Sequence, residues 1–196
     1  MPGIMIELNG TRIATIDLAG MQVADVSVRG GLDREQKAVL DAMGGNVDAG
    51  GCASLIWVAD RPVSPGEVLR VSLADSPGTA DRGRTIEELY PDEPPSTRTD
   101  FTISDEMAAA IRARPQLHEG FTVRAATSSG EQAQAASGER HTDFSFGVFW
   151  DSYHPGQARI RLRTHCLDDV LARSGGTAHL DATIATCGSA SFVLVA

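Results

Sequence analysis

The side chains best suited to covalent chemistry in this chain are Cys166 and its neighbour His165, with His141, Asp143 and His179 elsewhere in the second half. A thiol nucleophile needs a base within hydrogen-bond reach and a third group that orients the base. Adjacent residues rarely supply that geometry, so the simpler reading is a small apolar thiol beside a solvated histidine. His141 and Asp143 fall on one face of a strand, as two metal ligands would, but the sequence fixes no third. No GxSxG, GxGxxG or CxxC motif is present, and Lys37 stands in no phosphate loop. Cys52, Cys166 and Cys187 are too few and too scattered for a disulfide framework. No catalytic, cofactor-binding or metal-binding residue is assigned, and no cofactor is expected. Cys166, His165, His141 and Asp143 are the residues an enzyme would use.

Binding chemistry has two candidates. Arg159, Arg161 and Arg163 alternate along one strand, and three guanidinium groups on one face attract carboxylate or phosphate. The neighbouring strand is expected to place Asp151 and Phe149 against them, which makes this a covered structural face. The second candidate is acidity. The formal net charge is −9, and residues 1–95 hold fifteen acids against eight bases while residues 96–196 hold eleven against nine. Asp25, Glu35 and Asp41 therefore mark an expected docking surface for a basic protein, with Tyr153 and His154 at a hairpin tip as further contacts. A net-negative chain is a poor general nucleic-acid binder, because phosphate contacts need an excess of Lys and Arg. No apolar run approaches the ~20 residues that span a bilayer, and residues 1–20 do not read as a secretory signal. The expectation is a soluble, cytoplasmic protein that contacts neither nucleic acid nor membrane.

The elements that must position these residues are mostly strands. Ile4, Ile6 and Leu8 alternate up to Asn9-Gly10, a two-residue hairpin signal that sets Leu8 opposite Thr11, Glu7 opposite Arg12 and Ile6 opposite Ile13. A strand over 23–29 follows. Asp33 and Gln36 have capping-box spacing and predict a helix through Met43, ended by Gly44-Gly45. Residues 52–59 are apolar on both faces, as in a central strand, and 68–74 alternate again. In the second half Ser104 caps a helix carrying a Met107, Ala110, Ile111 stripe. Residues 121–127 form a strand and 128–140 an unpatterned mobile loop. Phe144, Phe146, Val148 and Trp150 share one face of the sharpest strand. Its partner over 158–164 is expected to set Trp150 against Ile160 and Val148 against Leu162. A short helix near Leu167–Leu171 and two strands close the chain. Both halves read as three strands, a Gly-Gly-terminated helix and two strands, which hints at duplication.

Leu8-Asn9-Gly10, Trp57 and the 65–73 strand (PGEVLRVSL) resemble a group of uncharacterised bacterial proteins with a small N-terminal β domain. That resemblance implies a β-rich first half ending in a proline-containing acidic tail, and no activity. Residues 84–100 fit such a tail, since Pro91, Pro94 and Pro95 sit among acids without apolar period. The expected fold class is α+β, with predominantly antiparallel sheets in two small domains, 1–83 and 101–196, joined by that linker. The expected function is non-catalytic protein binding, of the kind a bacterial immunity protein exerts on a basic toxin. The alternatives are an enzyme using Cys166, His165 or His141, and a structural assembly subunit.

Overall fold

Asn9 and Gly10 both have positive φ, 53° and 75°, the backbone that a type I′ turn demands, and they join β1 (Gly3–Leu8) to β2 (Thr11–Asp17). Leu8 faces Thr11 and Glu7 faces Arg12 as expected, but Ile6 faces Ala14 rather than Ile13. A β-bulge beside Ile6 takes up one residue, so Ala14, Thr15 and Ile16 are buried in succession. The computed structural model describes residues 2–48, 51–76, 78–92, 103–138 and 140–195. The remaining elements are β3 (Val23–Gly31), β4 (Ala38–Asp48), β5 (Gly51–Pro62), β6 (Val68–Ala74), α1 (Ile86–Leu89), α2 (Asp105–Arg112), β7 (Thr122–Thr127), β8 (Gln132–Ala136), β9 (Asp143–Asp151), β10 (Gln157–His165), α3 (Leu167–Leu171), β11 (Thr177–Ala185) and β12 (Ser189–Val195).

These strands build two six-stranded antiparallel sheets, ordered β2-β1-β6-β12-β7-β8 and β11-β10-β9-β3-β4-β5. The expectation of two domains is corrected here. Residues 1–83 and 101–196 each contribute three strands to each sheet, joined through β6–β12 in the first and β3–β9 in the second. The order is symmetric: replacing every strand by the one six later reproduces both sheets read backwards. β1 starts at Gly3 and β7 at Thr122, β3 at Val23 and β9 at Asp143, β6 at Val68 and β12 at Ser189. Five of the six equivalent strand pairs thus start 119 to 121 residues apart and the pair β5/β11 126, so the two halves share one topology, as the hinted duplication requires.

One core lies between the sheets. Ile4, Ile6, Leu69, Val71, Leu73 and Phe192 of the first face Val26, Val28, Phe144, Phe146, Val148 and Ile160 of the second. Phe192 stacks on Phe146 and Phe144, with ring centroids 5.2 and 5.9 Å apart, and Phe121 tilts onto Phe144 at 4.9 Å. Burying each such ring contributes about 1.5–3 kcal/mol. The open side between the edge strands β2 and β5 is closed by the segment after β6. Asp81 accepts from the Thr15 amide at 2.7 Å, Trp57 Nε1 donates to the Asp81 carbonyl at 2.9 Å, and Arg84 exchanges two backbone hydrogen bonds with Ile56.

Several local expectations yield to these long-range pairings. Of the segment read as a helix over 33–43, residues 33–37 are a turn and 38–43 belong to β4, with Leu40 and Ala42 buried and Met43 exposed. Its two-residue alternation prevails over the capping-box spacing because two neighbouring strands supply ladder partners. The strand over 52–59 lies at a sheet edge, not in the centre. The expected loop over 128–140 holds β8, where Ala135 turns inward. In α2, Ser104 caps as expected by accepting from the Met107 amide, but the buried residue is Ala108 rather than the predicted stripe. The β9–β10 pair keeps its buried face yet slips by two residues: Ile160 faces Val148 and Arg159 faces Phe149. The turn between them is longer than expected, and Asp151 organises it by accepting from the amides of Tyr153 and His154. Of the expected linker, residues 84–92 carry the Arg84 bridge and α1, while Pro94 and Pro95 lie outside the described residues.

Shared sheets predict how the chain behaves when cut. A specific protease site inserted between residues 93 and 102 should yield two fragments on a denaturing gel that co-elute as one folded species, separating only in denaturant. Either fragment expressed alone, with two unpaired inner strands, should fail to fold. Two independently folded fragments would contradict the interleaved topology.

Candidate functional site

The end of the second sheet beneath α3 collects most residues singled out for chemistry. His165 ends β10 and lies opposite Asp143, the first residue of β9. Cys166 follows as the N-cap of α3, and Asp143, His165, Cys166 and Glu35 line one cleft of about 720 Å³ between α2, α3 and residues 32–35. His141 sits nearby, its Nε2 3.2 Å from Thr177 Oγ1. The fold therefore gathers side chains that the sequence leaves far apart.

Their hydrogen bonds do not make a nucleophile. Cys166 Sγ donates to Asp169 Oδ2 at 3.3 Å, and the same oxygen accepts from the Cys166 amide at 3.0 Å. Among the described residues no histidine hydrogen-bonds this sulfur. The Asp169 carboxyl is held below its ordinary range, first by the Cys166 amide, then by Ser174 and the Cys166 thiol. It is a helix-capping carboxylate, and the thiol serves that cap. His179 Nε2 lies 2.7 Å from the buried Thr164 hydroxyl, with the His141 ring edge-on at 6.3 Å. Desolvation, followed by the neighbouring His141, lowers the His179 pKa. No group of three His, Cys, Asp or Glu side chains converges for a metal among the described residues. The cleft's charges are also spent on one another: Arg112 pairs with Asp168 at 2.7 Å, Arg114 with Asp33 at 3.8 Å and Arg34 with Asp143 at 4.0 Å.

On the other side of α3, the outer face of the second sheet carries a trough of about 680 Å³ that the sequence does not reveal. Three cross-strand rows over β4, β3, β9 and β10 underlie it, and of their residues Asp25, Ser27, Arg29, Met43, Ser145, Gly147, Arg161 and Arg163 line it. The middle row reads Asp41–Ser27–Gly147–Arg161, flanked by Met43–Asp25–Phe149–Arg159 and Val39–Arg29–Ser145–Arg163. At the centre stand two small residues, Ser27 and Gly147, and the space above them is the trough. Asp169, Val170, Arg173 and Gly175 wall one end.

The expected partners of the arginine ladder are replaced. Asp151 caps the hairpin turn, and Asp181 of β11 takes Arg159 with two hydrogen bonds at 2.8 and 2.6 Å. The acids expected to form one docking surface also separate. Asp41 is only 6% exposed, accepting from Arg29 at 2.5 Å and from the Asp60 amide at 2.9 Å, so its role is internal. Asp25 lies in the trough and Glu35 in the other cleft. Tyr153 is 89% exposed at the hairpin tip, where His154 bonds to Asp151. Comparison with protein families, curated proteins and solved structures finds no match. No helix among the described residues is long and apolar enough to cross a membrane.

Two outcomes check this geometry. Cys166→Ser should keep the α3 cap, leaving stability within about 1 kcal/mol of the parent in urea unfolding, because a serine hydroxyl caps at least as well as a thiol. The Asp25 carboxyl is raised above its ordinary value, chiefly by burial and against the opposing Ser27 hydrogen bond and Arg29. The folded state therefore holds that proton more tightly than the unfolded chain, and ionised Asp25 is a burden above its folded pKa. Asp25→Asn should raise stability near neutral pH, and the gain should fade as pH falls to the ordinary aspartate value. A gain that grew on acidification would refute this assignment.

Proposed function

We propose that this chain is a non-catalytic protein-binding protein that docks a basic partner, as an inhibitor of the immunity kind does. The observation that carries the reading is the shelf formed by α1 along the edge of β5. This helix buries none of its residues. Ile86 and Tyr90 remain 47% and 38% exposed beside Glu87, Glu88 and Asp92. The shelf is held in place by the Arg84–Ile56 bridge and by a capping box between Thr85 and Glu88. Exposed apolar side chains beside the acids Glu87 and Asp92, with Glu88 held by Arg82 and by its own helix cap, suit a basic surface with an apolar recess, where the charges steer approach and the apolar pair is desolvated on contact. The acidity of the first half supports the same polarity of partner. The Cys166 thiol, which donates to Asp169 and bonds no histidine among the described residues, supports binding over catalysis.

The reading is tested with the parent protein as bait against extracts of its native host. A specific partner should bind more slowly as salt rises from about 20 to 150 mM, since steering is screened over ~8–10 Å. Glu87→Lys with Asp92→Lys, which leave the Thr85–Glu88 cap intact, should slow association further, and Ile86→Ala with Tyr90→Ala should speed dissociation. A partner indifferent both to salt and to these four changes would remove α1 as the docking element. Recovery of no partner at all would remove the binding reading.

A further inference from the structure

We propose that the trough over Ser27 and Gly147 binds a small molecule through its oxyanion, a carboxylate or phosphate group held by Arg161 and Arg163. The first support is shape. Ser27 and Gly147 are equivalent residues of the two halves and face each other, so the trough lies on the axis that relates them. A Cβ on Gly147 would meet only Asp25 Oδ1, at 3.9 Å, so the space above the floor is open. Its volume of about 680 Å³ is that of a small-molecule site.

The second support is the state of the guanidinium groups around it. Arg29 is committed to Asp41, and Arg159 to Asp181. Arg161 is left with a 3.6 Å approach to an Asp181 already held by Arg159. Arg163 gives one N–H to the Gly175 carbonyl at 2.9 Å, and Arg173 forms no ion pair among the described residues. The Nε atoms of Arg161 and Arg163 are both out of solvent without a hydrogen-bond partner. Neither guanidinium is saturated by protein acceptors, and charged N–H groups take oxyanion acceptors most strongly. Against these three cations the trough sets Asp25, which the Ser27 hydroxyl bonds, and Asp169, already engaged by Cys166 and Ser174. The cationic excess falls on the β10 and α3 side, so the oxyanion lies there. Asp25 faces the remainder of the molecule, where it suits a hydroxyl or amino group. This site is independent of the α1 shelf.

The test is a titration of the whole protein with inorganic phosphate and, separately, with acetate at constant ionic strength, read on the arginine Nε–Hε signals by NMR. Arg161→Lys and Arg163→Lys assign two of those signals by their loss. The Arg161 and Arg163 signals should move and saturate, while that of Arg124, bonded to Gln134 on the outer face of the other sheet, should not follow. Saturation by phosphate alone identifies a phosphoryl ligand, and saturation by acetate alone or more tightly identifies a carboxylate. Gly147→Val fills the trough with a side chain that strands favour and should abolish the response. Should that variant not fold, Arg161→Lys still decides, because it keeps the charge, removes the Nε donor and should weaken binding roughly tenfold. Shifts no larger than those of Arg124, or saturation unaltered in a folded Gly147→Val or in Arg161→Lys, would overturn the proposal.

Discussion

The nine-position ladder between β3 and β9 is the constraint on which the rest of this structure depends. It joins the halves in the second sheet, faces the core with Val26, Val28, Phe146 and Val148, and supplies the floor of the trough on its other side. Its fit is set by volume. Ala24 lies opposite Trp150 and Gly30 opposite Phe144. A Cβ on Gly30 would come within 2.4 Å of the Phe144 ring and 2.3 Å of the Lys37 carbonyl, so only glycine leaves room. In the duplicated arrangement Ala24 is the counterpart of Phe144, and Gly30 of Trp150. Both small residues belong to the first half and both large ones to the second. Two copies of either half would meet ring against ring or leave a void, and cores tolerate neither. The mixed pair alone fills the space, which is why the halves share sheets rather than stand apart.

The same ladder breaks the symmetry of charge on its outer face. Asp41 and Arg161 occupy equivalent positions in the middle row, one on each side of the Ser27–Gly147 pair. Asp41 turns inward to neutralise Arg29 and hold the Asp60 amide, where Asp60 has a φ of 46°. That backbone is uncommon for a residue with a side chain, and the hydrogen bond helps fix it. Arg161 has only a 3.6 Å approach to an Asp181 that Arg159 already holds. A second asymmetry reinforces the first: the β10–β11 connection carries α3, which walls the trough only on the arginine side. A two-fold symmetric scaffold thus carries a groove whose two flanks differ, one with its arginine neutralised by Asp41 and the other with Arg161 and Arg163.

Where pattern and turn chemistry are local, the sequence was legible. Asn9-Gly10 fixed a hairpin, Ser104 capped a helix, and the alternation from Phe144 to Trp150 identified a fully buried face. The failures share one cause, pairing between residues distant in sequence. Nothing near 33–43 announces that β3 and β5 will sandwich it, and nothing near Gln132 announces that β7 will recruit it. The linker was legible as a connector between halves, but composition cannot say whether the halves part or interlock. For the candidate site, the sequence named Cys166, His165 and Asp143, which do meet. It could not show that Asp169 would take the thiol.

The duplication stayed hidden for a related reason. What the two halves retain is parity: Ile4 and Val123, Ile6 and Ala125, Leu69 and Ala190, Val71 and Phe192, Leu73 and Leu194 are all buried at equivalent steps. A sheet needs only that alternate side chains face inward and that volumes across the core sum correctly. Identity can therefore drift while the ladder persists, and drift is useful. A strictly symmetric trough would bear the same charge on both flanks, suited at most to a symmetric ligand. Letting Asp41 and Arg161 diverge gives one flank an internal salt bridge and leaves the other with guanidinium donors in need of acceptors. The residues that make the two flanks of the groove differ are thus those at which the halves no longer resemble each other.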